Sequence, residues 1–339
     1  MAAQGLVLLT GATGFIGFRT LVFLLEKGYN VRCAVRNEAG YERIKALKSA
    51  APYASQMQSI LVPDITVPGA YDEAVKGVDY VIHAASPFAA PALLSSEEYE
   101  ANYIQPAIAG TVGMLDSATK ASSIKRVVIT ASILSIMSLQ DGAKSVVITE
   151  TNRTGNSKGP WPSWLAAYSS SKVAALEATE EWTKKNLHTF DLINIEPCFV
   201  IGRDETATDV GALLKGSNYM ALAHVIGHGQ ANPAPGIPVH VDDVAAMHVQ
   251  ALDSSIPGNE DYLSVAEPIQ WTETIELVKK HFPKEVEAGI FSFNGTPITA
   301  PLITDNSKAR KTFGINFKTY EEQILSVAKQ YLELVKQAA

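Results

Sequence analysis

One stretch near the start of the chain, Thr10-Gly11-Ala12-Thr13-Gly14-Phe15-Ile16-Gly17, limits what the rest can fold into. It follows the apolar run Leu6-Val7-Leu8-Leu9, which does not alternate and so reads as a strand buried on both faces. It precedes a helical pattern over residues 15–27. A glycine-rich turn between strand and helix aims backbone N–H groups and the positive helix end at one spot, where a pyrophosphate fits. The spacing is G-x-x-G-x-x-G. Gly11 would allow the tight turn, Gly14 the approach of phosphate to backbone, and Gly17 the close packing of helix on strand. The cofactor contacts expected here are Gly11, Thr13, Gly14, Phe15, Ile16 and Gly17. A lone glycine pattern says little, but strand, spacing and helix coincide here. The expected fold is α/β, a doubly wound parallel sheet of Rossmann type.

A second strand is expected over residues 30–35, with Val31, Cys33 and Val35 on one face. A dinucleotide fold that prefers NAD carries a carboxylate at this strand's end to hold the ribose 2′-hydroxyl. This chain has Val35 there and Arg36 beside it, and a guanidinium pairs with a 2′-phosphate. The reading is therefore NADP(H), with Arg36 as its ligand and Arg32 as a possible assistant. A third strand is expected over residues 58–62, followed by Asp64-Ile65, where the acid fits a turn or a cofactor contact equally. The fourth, Tyr80-Val81-Ile82-His83, runs into Ala84-Ala85-Ser86-Pro87-Phe88. Small side chains at Ala84, Ala85 and Ser86 let a ribose lie against the backbone. Phe88 is a pocket wall or core, and His83 reads as a buried histidine.

A long helix over residues 97–120 is interrupted near Pro106, and a fifth strand over 126–132 ends in Ser132. Downstream comes Tyr168-Ser169-Ser170-Ser171-Lys172, opening a helix that runs to about residue 186. The i, i+4 spacing puts Tyr168 and Lys172 on one face, a turn apart. Such a pair is common alone; after a glycine fingerprint and a strand-end serine it points to carbonyl chemistry. A sixth strand is expected over residues 190–195.

The 339 residues suit a nucleotide domain with a smaller lobe, which we place at 1–196 and 197–339, some later segments returning to the first domain. Residues 203–236 have the mixed composition of a substrate lobe, and helices over 271–282 and 320–336 would close it. A net charge of -7 without a basic block excludes a nucleic-acid surface. Cys33 and Cys198 are too few for a disulfide framework and read as buried thiols of a reducing compartment. No signal peptide is expected, and the longest uncharged run, 127–140, is too short to span a bilayer. The expected location is cytoplasmic, with no membrane partner. His224 and His228 share helical spacing, but no acid follows in the H-E-x-x-H manner, so no metal is expected.

Taken together, these pieces resemble the extended branch of the short-chain dehydrogenase/reductases. The nearest group is that of the dihydroflavonol reductases and the fungal NADPH-dependent aldehyde and ketone reductases. The matching residues are Thr10 to Gly17, Val31 to Arg36, Val62-Pro63-Asp64, His83 to Phe88, Ser132, Tyr168 and Lys172. Pro197-Cys198-Phe199-Val200-Ile201-Gly202, Val239-His240-Val241-Asp242-Asp243-Val244-Ala245 and the tail from residue 305 match as well, so the resemblance spans the chain. It implies that Asp64 and Ile65 meet the adenine, that Lys172 grips the nicotinamide ribose, and that Pro197 and Val200 pass beside the nicotinamide. Ala131 departs from a usual serine. Ala109 departs from an asparagine that anchors a relay water, with Asn102 as a weak replacement.

The chemistry implied is reduction of a carbonyl to an alcohol. Ser132 would hold the substrate oxygen and Tyr168 would protonate it as general acid, while the Lys172 ammonium favours the phenolate left behind. The expected substrate wall is Phe88, Ile133, Met137, Leu165 and Phe199 with Ser132, an apolar set that favours a hydrophobic aldehyde or ketone. Alternatives are a sugar-nucleotide epimerase or dehydratase of the same branch, and a non-catalytic NADP-sensing regulator. Monomer and homodimer both stand open. The face carrying Glu177, Glu180, Glu181 and Lys184 suggests solvent more than a bundle.

Overall fold

The computed structural model describes residues 4–86, 94–138, 146–155, 158–229 and 232–338. Its centre is a seven-stranded parallel sheet. The strands are β1 (Leu6–Thr10), β2 (Asn30–Val35), β3 (Met57–Leu61), β4 (Tyr80–His83), β5 (Arg126–Thr130), β6 (Asp191–Pro197) and β7 (Glu260–Ser264). Their order across the sheet is β7-β6-β5-β4-β1-β2-β3. The order reverses between β1 and β4, and it is outside such a switch point that ligands of open α/β sheets bind.

Both sheet faces are covered, which is why the inner strands read as continuous apolar runs. Val7 and Leu9 of β1 join one core cluster with Val31, Cys33 and Val35, and Leu8 joins the cluster on the opposite face. Helices α1 (Phe15–Glu26) and α2 (Glu38–Lys45) follow β1 and β2. On the other face lie α3 (Gln105–Thr119) and α4 (Trp164–Lys185). Ala167, Ser169, Ser170, Ser171 and Ala174 are buried on α4, and such small side chains let it pack close against α3.

The interruption expected near Pro106 is a widened turn rather than a break. Residues Glu100–Ile104 form a π segment between a short helix, Ser96–Tyr99, and α3. Proline has no N–H to donate and its ring crowds the carbonyl four residues back, which is relieved when the turn opens to i→i+5.

Past β6 the chain builds a second core around Trp271, fully buried, whose Nε1 donates to the Ala234 carbonyl at 3.0 Å. Ile201, Leu213, Leu222, Phe291, Ile324 and Val327 surround it. Two segments from this half return to the sheet: α5 (Val241–Gln250), which packs on α1, and the edge strand β7. Helices α6 (Thr272–His281) and α7 (Tyr320–Ala338) close the lobe. Among the described residues no helix is long and apolar enough to cross a membrane.

Candidate active site

The glycine turn is built by sterics. Gly11 has φ +75°, and a Cβ there would come within 2.8 Å of the Ala84 and Ala85 backbone, so the turn and the end of β4 lie in contact. A Cβ at Gly17 would collide with the Gly11 carbonyl, so this glycine serves the turn itself rather than the strand. Gly14 is exposed, and a Cβ there would find only the Gly11 carbonyl oxygen, at 3.5 Å. Gly14 caps α1 with no side-chain acceptor, and the first turn carries no acid. The positive helix end therefore faces an open cradle, which fits a pyrophosphate.

Thr10 ties the two loops of this cradle together. Its Oγ1 accepts the Ala85 N–H at 2.9 Å and lies 3.0 Å from His83 Nδ1. Burial, with the nearby Lys172 charge second, pushes His83 down to about 4, so its ring is neutral. Ala84 and Ala85 are half-buried and Ser86 exposed.

At the end of β2, Val35 is 3% exposed and belongs to the core, so the accessible side chain there is Arg36. No hydrogen bond or ion pair engages the Arg36 guanidinium among the described residues. Arg32 is no assistant: its Nη1 donates to the carbonyls of Ala74 and Lys76, both at 2.7 Å, and holds the loop below the sheet. A second exposed guanidinium went unnoticed in the sequence. Arg43 donates to the carbonyl of Thr13 at 3.1 Å and to that of Thr206 at 3.0 Å, joining the glycine turn to the C-terminal lobe. Gly40, one turn earlier on α2, lies beside the same turn, where a Cβ would meet Thr13 Cγ2 at an ordinary contact distance of 3.4 Å.

Asp64 serves a turn with half of its carboxylate. Its Oδ1 accepts the Thr66 N–H at 2.8 Å and the Thr66 hydroxyl at 2.6 Å, bonds that hold it below the usual carboxylate range. Among the described residues Oδ2 has no hydrogen bond; Asp64 is exposed, and Ile65 beside it is half-buried. Pro197 ends β6 in a buried position. Val200 packs with Val239, Val241 and Val244 against Phe15 and Ile16, so the strand after Pro197 abuts the start of α1.

Ser132 follows β5 and caps a 3-10 turn, Ile133–Ser135, which packs on α4. Its Oγ accepts the Leu134 N–H at 3.2 Å, which leaves the hydroxyl proton for another acceptor. Ser163 caps α4 by accepting the Ala166 N–H at 3.3 Å, and the helix then presents Tyr168 and Lys172. Lys172 Nζ lies 5.5 Å from the centroid of the Tyr168 ring and donates to Ser86 Oγ at 3.1 Å.

The expected substrate wall divides. Leu165 is 39% exposed at the start of α4, and Phe199 is half-buried, its ring edge-on to Trp271 at 5.9 Å. Ile133 and Met137 are 1% and 4% exposed, in a core cluster with Ile148, Leu176 and Leu263, so they back the serine turn instead of lining a pocket. Phe88 lies outside the described residues. Ala109 is half-buried on α3, and Asn102 is exposed, its amide donating to the Glu98 carbonyl at 2.7 Å, so it replaces nothing in the site. His224 sits by Trp271 and His228 by Tyr219.

A family model described as the NAD dependent epimerase/dehydratase family matches residues 7–263. The chain belongs to this family. Within the NAD dependent epimerase/dehydratase family it is 35% identical to ketoreductase CTB6 of Cercospora nicotianae, over 98% of this chain and 96% of that one. In structure it is similar to the yeast methylglyoxal/isovaleraldehyde reductase Gre2 complexed with NADPH. That match has TM-score 0.84 and 24% identity, over 98% of this chain and 99% of that one. It is also similar to vestitone reductase from alfalfa, Medicago sativa, with TM-score 0.75 and 22% identity, over 97% and 99% of the two chains. These structural likenesses concern the fold alone.

Proposed function

We propose that this protein is an NADPH-dependent reductase of hydrophobic aldehydes or ketones. The observation that carries the reading is Lys172, poised over Tyr168 and bonded to Ser86 at the switch point of the sheet, with Arg36 free at the end of β2. Residues up to about 196 hold the dinucleotide and those from 197 mostly the substrate. Gly11, Thr13, Gly14, Phe15, Ile16 and Gly17 cradle the pyrophosphate. Arg36, joined by Arg43, takes the 2′-phosphate, and Asp64 with Ile65 meets the adenine. Ala84, Ala85 and Ser86 accept the ribose, while Pro197 and Val200 back the nicotinamide. Ketoreductase and reductase relatives, and the NADPH bound to Gre2, support this assignment.

When bound, the nicotinamide supplies the hydride. Ser132 donates its free hydroxyl proton in a hydrogen bond to the carbonyl oxygen, fixing and polarising it. Tyr168 gives its proton to that oxygen as negative charge develops there, so one hydride and one proton are added to the C=O. The Lys172 ammonium stabilises the phenolate that remains. Leu165 and Phe199 offer apolar contact to the substrate.

Loss of absorbance at 340 nm with NADPH and a panel of aldehydes, ketones and UDP-sugars tests this. Turnover of an apolar carbonyl, abolished in Tyr168→Phe, is the expected result. Activity only on UDP-sugars would establish epimerase or dehydratase chemistry in its place, and no turnover with tight NADPH binding would leave a sensor.

A further inference from the structure

A narrow cavity lies beside Lys172 and reaches Ala85 and Ser86 at the end of β4. His83, Thr130, Ser135, Lys172, Thr179 and Asn194 bring polar groups to its wall. It holds about 30 Å³ of space for water centres, and roughly 10–15 Å³ suffices for one water, so about two fit. A dry cavity would be lined by apolar groups, whereas this one carries several polar side chains.

The hydrogen bonds around it define which way those groups face. His248 Nδ1 lies 2.8 Å from the Val244 carbonyl, which can only accept, so the proton sits on Nδ1. Burial keeps that ring neutral, at about 4, and its Nε2 is left to accept from Thr130 at 2.7 Å. Ser135 gives its proton to the Ser132 carbonyl at 2.6 Å, and Thr179 gives its proton to the Ala175 carbonyl at 2.8 Å. Asn194 donates through Nδ2 to Asp261 Oδ1 at 2.7 Å, and Arg153 pins that carboxylate at 2.6 Å. The ion-paired acid decides the amide orientation, since a carboxylate accepts from nitrogen and not from oxygen. Ser135 Oγ also accepts the Ser132 N–H at 3.2 Å, so Thr130, Thr179 and Asn194 are the groups left with lone pairs for the cavity, and Lys172 contributes an ammonium.

We propose that the cavity is a water chamber organised by Asn194, and that Asn194 is a positioning residue for Lys172. Water there accepts from Lys172 Nζ and donates to Asn194 Oδ1, steering the ammonium that also donates to Ser86 on the same wall. Arg153 and Asp261 extend the support to the surface. The inference rests on the reductase reading, and the two fail separately. Loss of the reading is seen in the wild type, loss of the inference only in the variants.

Asn194→Leu removes the acceptor and leaves the Arg153–Asp261 pair in place. Thr179→Val removes one lone-pair site with little change of shape. In both, kcat for carbonyl reduction should fall, by about tenfold in Asn194→Leu, a change of roughly 1.4 kcal/mol. KM for the carbonyl should stay nearly constant. The alkaline limb of the kcat profile should move as well, because the ammonium no longer faces the phenolate squarely. A structural role alone would lower Tm and leave the limb where it is. Wild-type pH profiles in both variants would overturn the proposal, and should Asn194→Leu not fold, the profile of Thr179→Val decides.

Discussion

Thr10 Oγ1 sits 3.0 Å from His83 Nδ1 while accepting the Ala85 N–H at 2.9 Å, so one hydroxyl holds the ends of two adjacent strands. The glycine turn begins at the next residue, and Ala84 to Ser86 extend from the other strand. The spacing of the two loops thus depends on a buried threonine.

Thr10→Val keeps the shape and removes both bonds. Leaving a buried amide without its partner costs about 1–3 kcal/mol. Tm should fall by several degrees, and NADPH and NADH should weaken together, because the loops and not the 2′-phosphate are affected. Calorimetric melts beside titrations of both cofactors test this. A loss confined to NADPH would contradict it.

Cofactor choice is expected to rest on Arg36. A charge-assisted contact is worth about 1.5–3 kcal/mol, so Arg36→Ala should weaken NADPH by roughly 10- to 150-fold and spare NADH. Arg43→Ala should act in the same direction and also loosen the tie between Thr13 and Thr206. A carboxylate that favours NADH belongs at position 36, since Val35→Asp would bury a charge in the core. Equal losses for both cofactors would show that these arginines serve the loops and not the phosphate.

Local patterns were legible and long-range placements were not. The glycine turn, the ends of β2 and β4, and the one-turn spacing of Tyr168 and Lys172 follow from a few consecutive residues each. The strand β7 escaped notice because it opens with Glu260-Asp261. Those acids find Lys308 and Arg153 at the sheet edge, partners far away in sequence. Arg43 sits in an exposed, polar stretch of helix, and only the fold brings it to Thr13. Ile133 and Met137 look the same in a sequence whether they face a substrate or a core, and the packing of the serine turn decides for the core.

Position 109 carries an alanine where the sequence resemblance implies an asparagine, and substitution there tests that departure. On α3 the cavity wall takes Ala107, Gly110 and Thr111 but not Ala109. Ala109→Asn should therefore change turnover by less than about tenfold, under roughly 1.4 kcal/mol in the barrier. A gain of several orders of magnitude would mean that the helix side lacks an essential group.

Glu196 predicts the pH dependence of stability. It lies fully buried on β6, and neither carboxyl oxygen has a hydrogen-bond partner among the described residues. Burial first, then the negative charge of Asp261, raises it well above the usual carboxylate range, opposed by Arg153 and Lys308. The folded protein thus holds this proton where the unfolded chain, near 4.3, releases it. More protons are bound in the folded state above that pH, so stability from this group is full below it and declines as pH rises toward the folded value. Glu196→Gln removes the linkage. Its Tm should match the wild type near pH 4.3 and exceed it by a growing margin toward pH 8. A margin that does not change with pH would mean that Glu196 is ionised in the folded protein, with its charge met by Arg153 or Lys308.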